Sequence, residues 1–141
     1  MIHQIGIAAL TAGLIAQALK VVIELIRMGR LNMLRILDNG GMPSSHTALV
    51  TTLTVGVAVY AGVDSSIFSV TLIFSLYFIF EAAGLRQEVG NQAKVLNDIV
   101  DGMRATHHLD RSRLKELVGH TWGEVLGGLV LGLLIAYLFF R

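Results

Sequence analysis

His46 lies in a segment of the 141-residue sequence whose residue types suit the binding of an anion. The segment reads GGMPSSH and leads into an apolar run. A helix beginning there would offer unpaired backbone N–H groups and the positive end of its dipole, Gly41 would allow close approach, and Ser44 and Ser45 would add hydroxyl donors. His46 exchanges a proton near neutral pH. We interpret the segment as a phosphate cradle; the alternative is that a serine merely caps the helix while His46 faces lipid headgroups.

A second histidine, His120, precedes the last apolar stretch of the chain. Glu124 follows four residues later, so on a helix that begins this early the carboxylate would hold the imidazole for work as a nucleophile or base. Thr121 and Glu124 also have the spacing of a capping box, in which Glu124 would bond back to the backbone of Thr121. The two interpretations compete for the same carboxylate.

Several charges lie within or beside apolar stretches. Lys20 and Arg27 are seven residues apart, so on a helix they share one face about 10.5 Å apart along the axis, which suits a phosphate. Alternatively, Lys20 pairs with Glu24 or extends its stem to the membrane interface. Glu81 lies in a third apolar stretch, and a structural pair with Arg86 is favoured over a catalytic role because pairing removes the cost of burying the charge.

The elements that must position these residues are membrane-spanning helices. The chain is 54% hydrophobic and 15% charged, against roughly 45–50% and about 25% in soluble domains, and its mean hydropathy is +0.68. Four stretches approach the roughly 20 apolar residues that cross a bilayer. They are residues 2–26, 47–63, 66–85 and 122–140. We predict an all-α fold: one integral membrane domain over residues 1–141, a polytopic helical bundle with four transmembrane helices plus cytoplasmic amphipathic helices.

The cations indicate an orientation. Three lie between the first and second spans and six between the third and fourth, so the positive-inside rule places both polar connections in the cytoplasm. Their apolar spacing predicts amphipathic helices at residues 27–38 and 87–103, and residues 105–112 are expected to form a loop. Pairs of glycines four residues apart in the last span are expected to pack closely against other helices.

Charge and cysteine content exclude some functions. A net charge of +1 is too balanced for a nucleic-acid partner bound through many phosphates. The absence of cysteine excludes thiolate metal sites and cysteine nucleophiles. Histidines, serines, glycines and cations on one membrane face are the parts needed to transfer a phosphoryl group through a phosphohistidine.

The sequence resembles the type 2 phosphatidic acid phosphatase superfamily, which is related to vanadium haloperoxidases, and specifically its divergent branch of small membrane proteins. Three strings carry the resemblance, namely GGMPSSH at Gly40 to His46, AAGLRQEVGNQAKVLN at Ala82 to Asn97, and KELVGHTWGEVLGG at Lys115 to Gly128. Together they extend over most of the chain, and the first and last are the most specific.

The superfamily's first two motifs are Lys-x6-Arg-Pro and Pro-Ser-Gly-His. Lys20 and Arg27 match the first motif, with Met28 in place of proline. In the second motif Ser45 replaces glycine, and His46 matches the general acid that protonates the leaving oxygen. The replacement gives one amide of the cradle less freedom and adds a hydroxyl.

The third motif is Ser-Arg-x5-His-x3-Asp. His120 matches its nucleophile and Glu124 replaces the aspartate. The pair Ser112 and Arg113 precedes His120 by one residue more than the pattern has, so the phosphate-binding arginine is either Arg113 or Arg86. The branch-like string around Arg86 favours the latter.

The resemblance implies metal-independent hydrolysis of a lipid phosphate or diphosphate, without a cofactor. The implied catalytic residues are His120, His46 and Glu124. The implied phosphate-binding residues are Lys20, Arg27, Gly41, Ser44, Ser45, Arg86 and Arg113. The expected partners are the phosphorylated lipid and membrane lipids, together with a second copy of the chain if four spans are too few to enclose the site. The expected location is a bacterial inner membrane, with the site facing the cytoplasm.

Two functions of other classes fit the same residues. The first is a non-catalytic phospholipid-binding protein that keeps the anion cradle after its altered motifs have lost their chemistry. The second is a small transporter that uses Lys20, Glu24 and Glu81 as a relay within the membrane.

Overall fold

Five α-helices form the part of the chain that the structure describes. The structure is a computed structural model, and it describes residues 2–29, 41–104 and 121–141. The helices are α1 (Ile2–Met28), α2 (Ser45–Ala61), α3 (Ser66–Ala83), α4 (Leu85–Arg104) and α5 (Trp122–Phe140). These residues contain no strand, so the predicted all-α class is confirmed for them.

Helix α2 lies at the centre and packs against α1, α3 and α5. Helix α1 runs antiparallel to α2, with Gly13 beside Leu49 near the middle of the pair. Helix α5 runs parallel to α2, because Gly132 of α5 lies against Ala48 and Thr51 of α2. Small side chains allow this close approach, and a cluster of buried residues fills the centre. The cluster contains Ala12, Ala16, Ala48 and Ile135.

The ends of α2 are set by local chemistry rather than by hydropathy. Its first residue is Ser45, two residues before the predicted start, because the side chain of Ser44 caps the helix by accepting a hydrogen bond from the Thr47 N–H. Its last residue is Ala61, where Gly62 takes φ +81° and ends the helix earlier than the predicted residue 63. Hydropathy alone does not detect either signal.

Helices α3 and α4 are joined through one residue, Gly84. Its N–H donates to the Phe80 carbonyl at 2.7 Å, and its own carbonyl accepts from Glu88 at 3.1 Å. The third apolar stretch therefore ends at Ala83 rather than at residue 85. The predicted amphipathic helix at residues 87–103 is confirmed with slightly wider bounds. The predicted helix at 27–38 lies mostly, and the predicted loop at 105–112 wholly, outside the described residues.

Within residues 2–29, 41–104 and 121–141, two helices are long and apolar enough to cross a membrane. They are the stretches His3–Ile26 and Trp122–Phe140, with mean hydropathies of 1.9 and 2.0. The apolar stretches Ser45–Ala61 and Ser66–Glu81 are shorter, so four transmembrane helices remain a prediction. On α3 the large side chains of Ile73, Phe74 and Tyr77 are each at least 60% exposed, as expected of a surface that faces lipid.

Candidate functional site

Ser44 fixes the start of α2. Its side chain is fully buried, and its Oγ accepts hydrogen bonds from the backbone N–H of Thr47 at 3.3 Å and from the Thr47 hydroxyl at 3.0 Å. The interpretation of a capping serine is therefore confirmed for Ser44. Its hydroxyl is used to cap α2, which leaves the neighbouring Ser45 as the more accessible hydroxyl of the pair.

A backbone hydrogen bond joins the two histidine segments. The N–H of Ser44 donates to the backbone carbonyl of Glu124 at 2.9 Å. Because α2 and α5 run parallel, both helices begin at the same end of the bundle, and this bond fixes one start against the other. His46, in the first turn of α2, is half-buried with its Nδ1 atom enclosed.

The start of α5 is a complete capping box. The Thr121 hydroxyl accepts from the Glu124 N–H at 3.3 Å, while the Thr121 N–H donates to Oε2 of Glu124 at 3.0 Å. The helix begins at Trp122, the predicted start of the last span, so it does not include His120 and the condition under which His120 and Glu124 would share a helical face is not met. A carboxylate can accept at both oxygens, so the cap leaves the group able to meet a second donor.

Lys20 is a buried cation beside the cradle. Its side chain is only 6% exposed, and its Nζ donates to the Ser45 hydroxyl at 3.5 Å. The Lys20 side chain therefore extends towards the start of α2, and extension to the membrane interface stays an alternative. Gly41 takes φ +99°, and a Cβ atom there would lie 3.8 Å from Cδ of Lys20. The structure thus brings Lys20 to Gly41 and to Ser45, which is 25 residues further along the chain.

For the remaining predicted site residues, the structure describes the backbone of two and leaves two outside the described part of the chain. The backbone of Arg27 lies in the last turn of α1, and that of Arg86 lies in the first turn of α4. His120 and Arg113 fall within residues 105–120, outside the described part of the chain. His120 directly precedes Thr121 in the sequence.

Two glycines of α5, Gly128 and Gly132, allow this helix to pack closely on the first turns of α2. A Cβ atom on Gly128 would collide with the Ser44 carbonyl oxygen and would lie 2.9 Å from Cβ of Thr47. At Gly132, the collision would be with the Ala48 carbonyl at 2.7 Å. The expected close packing is confirmed for these two glycines, and it occurs within the chain.

Comparison with known proteins decides the family. The model of the divergent PAP2 family, the branch of the phosphatase superfamily predicted above, matches residues 2–135. The chain belongs to this family. It is similar to the uncharacterized membrane protein YuiD of Bacillus subtilis (strain 168), with 39% identity over 148 residues and 94% of each chain covered. No solved structure matches the chain. The chain is accordingly a membrane protein of the divergent PAP2 family.

The motifs of the divergent PAP2 family did not indicate every residue that shapes the site. Thr47 donates to the capping serine, and Met42 covers Gly127, where a Cβ atom would lie 3.1 Å from the Met42 methyl group. Thr52 is fully buried and donates to the carbonyls of Ala48 and Gly132, both at 2.9 Å. The hydrogen bond of Thr47 could be predicted, because a threonine at the third position of a helix lies next to the capping residue. The contacts of Met42 with Gly127 and of Thr52 with Gly132 depend on how α5 packs on α2, so the local sequence does not indicate them.

The docking of α5 predicts a large difference between two glycines of the same helix. We expect Gly128→Ala to lower the free energy of unfolding by about 1–3 kcal/mol, since the added methyl must displace the Ser44 carbonyl. The matched control is Gly123→Ala, whose methyl meets, among the described residues, only the Thr121 hydroxyl at 3.9 Å and should be neutral or stabilising by up to about 1 kcal/mol. Unfolding by SDS titration in detergent micelles, followed by circular dichroism, measures both. Equal stability of the two variants would contradict this packing.

Proposed function

We propose that the protein is a phosphatase that releases phosphate from a lipid phosphate or diphosphate at the cytoplasmic face of the membrane. The observation that carries the proposal is the hydrogen bond from the Ser44 N–H to the Glu124 carbonyl, 2.9 Å long. It brings together two sequence segments that each carry a motif histidine of the family. A binding cradle and a nucleophile segment at one end of one bundle are what phosphoryl transfer needs.

The anion would bind between α1 and the start of α2. Lys20 supplies a full positive charge from a buried position, and the hydroxyl of Ser45 lies within hydrogen-bond distance of its Nζ. The N-terminal end of α2 adds the positive end of its dipole. A buried charge interacts more strongly with a ligand than an exposed one does, because solvent screens it less. Arg27, Arg86 and Arg113 are the further cations that we assign to the phosphate oxygens.

The proposed reaction has two steps. A ring nitrogen of His120 attacks phosphorus, and the nitrogen–phosphorus bond forms as the bond to the lipid oxygen breaks, with His46 giving its proton to that oxygen. Water then attacks the phosphohistidine and passes a proton to His46, which releases inorganic phosphate and restores both histidines. Glu124 stabilises the positive charge that develops on the His120 ring. Charge stabilisation by Lys20 replaces the contribution that a metal ion makes in other phosphatases.

The lipid nature of the substrate rests on the position of the site. The capped start of α5 carries Trp122, which is 61% exposed and packs edge-to-face on Phe80 of α3 with ring centroids 6.3 Å apart. Aromatic side chains of this kind concentrate at the boundary between hydrocarbon and water. A phosphate held beside them would be at the depth of a phospholipid headgroup, and the acyl chains would extend along the bundle.

The test is a substrate panel on the purified full-length protein in detergent. Phosphatidate, phosphatidylglycerophosphate and a polyprenyl diphosphate are offered with EDTA present, and released phosphate is measured with and without vanadate. We expect release from at least one lipid, inhibited by vanadate, and absent from a mock preparation of membranes that lack the protein. Binding of a lipid phosphate without release would identify a non-catalytic binding protein instead. Activity that requires added metal would overturn the proposed mechanism.

A further inference from the structure

Helix α4 presents three different faces. Gly90, Ala93 and Asn97 are buried, and their spacing of three and four residues places them on one side of the helix. A second face carries four large apolar side chains that are each about half exposed, with the exposed Gln92 between the first two. They are Val89 at 47%, Leu96 at 49%, Ile99 at 53% and Met103 at 50%. We call these four residues the apolar stripe.

The third face of α4 is charged and lies opposite the apolar stripe. Lys94 comes two residues before Leu96 and Asp98 two residues after it, and both are exposed. Two residues correspond to a rotation of about 200° around a helix. Both charges are therefore on the side facing away from Leu96. An exposed apolar face opposite a charged one is the pattern of a helix that lies in the plane of a membrane surface.

The connection to α3 fixes the level of the bundle at which α4 begins. The chain passes from α3 to α4 through Gly84 alone, and the helical hydrogen bonds of Gly84 with Phe80 and Glu88 hold that joint. Phe80, four residues before Gly84, packs on the exposed ring of Trp122 at the start of α5. Helix α4 thus begins at the depth where the apolar, outward-facing surface of α3 ends. Among the helices of the described residues it contacts only α3.

We propose that α4 lies in the headgroup–acyl boundary of the membrane leaflet at which α3 ends, with the apolar stripe in the lipid. Lys94 and Asp98 then face water. The sequence of α4 carries three cations and three anions, so the attraction comes from apolar burial and requires no anionic lipid. Four half-exposed side chains provide far less than the about 800 Å² per partner of a specific protein interface, which argues against a second copy as the occupant.

The absence of cysteine from the sequence makes a clean test available. Single cysteines replace Leu96, Ile99, Lys94 or Asp98 in the full-length chain, and each receives a nitroxide label. After reconstitution into phosphatidylcholine vesicles, collision rates with oxygen and with a water-soluble nickel chelate are measured by electron paramagnetic resonance. We expect the oxygen-to-nickel ratio to be several-fold higher at Leu96 and Ile99 than at Lys94 and Asp98. Circular dichroism confirms that each labelled variant remains folded.

Each other result would overturn the proposal. A nickel-accessible label at both Leu96 and Ile99 would mean that the apolar stripe faces water. Spin–spin broadening at these positions would mean that a second copy covers it. If the labels entered lipid only after anionic lipid was added, the attraction would be electrostatic rather than apolar. The measurement does not involve phosphate release, so its outcome is independent of the proposed phosphatase activity.

Discussion

Replacement of His120 by glutamine is expected to lower kcat for phosphate release by at least about 10⁴-fold, because removal of a nucleophile eliminates the covalent route. The phosphohistidine should disappear together with the activity. Acid-labile, alkali-stable radiolabel trapped on the protein from a labelled lipid phosphate measures the intermediate directly. The matched control is His3→Gln. His3 is exposed and lies about 25 Å along α1 from Lys20, so its replacement should leave both readouts unchanged.

Glu124→Gln is the companion variant that separates the two uses of this side chain. Glutamine still completes a capping box, so the start of α5 and the stability of the protein should be retained. The charge that stabilises the ring of His120 is lost, and we expect kcat to fall by up to about 10⁴-fold.

Full activity of His120→Gln, or equal radiolabel on it and on the wild type, would refute the assignment of His120 as the nucleophile.

Replacement of Lys20 by methionine is expected to lower kcat/KM by about 10²–10³-fold, the typical effect of removing one donor that stabilises transition-state charge. Methionine fills a volume similar to that of the buried lysine stem. Loss of the Nζ donor leaves the Ser45 hydroxyl without this hydrogen bond, which costs about 1–3 kcal/mol in a buried setting. The unfolding free energy of Lys20→Met is therefore measured beside kcat/KM, so that loss of function is separated from loss of fold.

The control for Lys20 is Lys94→Met, which removes an exposed lysine from the charged face of α4. Its kcat/KM and its inhibition by vanadate should match those of the wild type. Vanadate distinguishes a phosphate-binding role from an indirect one, since we expect the Lys20 variant to bind it more weakly in parallel with the loss of activity. Unchanged vanadate affinity would show that Lys20 does not hold the anion.

Local chemistry made part of the site predictable from sequence. The capping box at Thr121 and Glu124 follows from residue types at fixed spacing, and it forms as that spacing predicts. The sequence offers two candidates for the capping serine, Ser44 and Ser45, and in the structure Ser44 caps α2. Both ends of α2 and the last residues of α1 and α3 lie two residues from their predicted positions, because hydropathy does not register caps and glycines. The first residues of α1 and α3 and both ends of α5 are as predicted.

The contacts between helices could not be predicted from the sequence. Glycines four residues apart in α5 are compatible with packing inside the chain or between chains, and only the docking of α5 on α2 decides between them. The hydrogen bond between Ser44 and Glu124 uses backbone atoms, which carry no residue signature. The contact of Lys20 with Ser45 likewise depends on the antiparallel pairing of α1 and α2.

The hydrogen bond between Ser44 and Glu124 has a consequence for biosynthesis. Its donor is made early in translation, whereas its acceptor leaves the ribosome only after α3 and α4 have been synthesised. A nascent chain that already contains α1 and α2 therefore has the cation and the serines but lacks the partner that fixes them. The start of α2 is fixed only when the last helix lies beside it, so we expect chains truncated before α5 to release no phosphate.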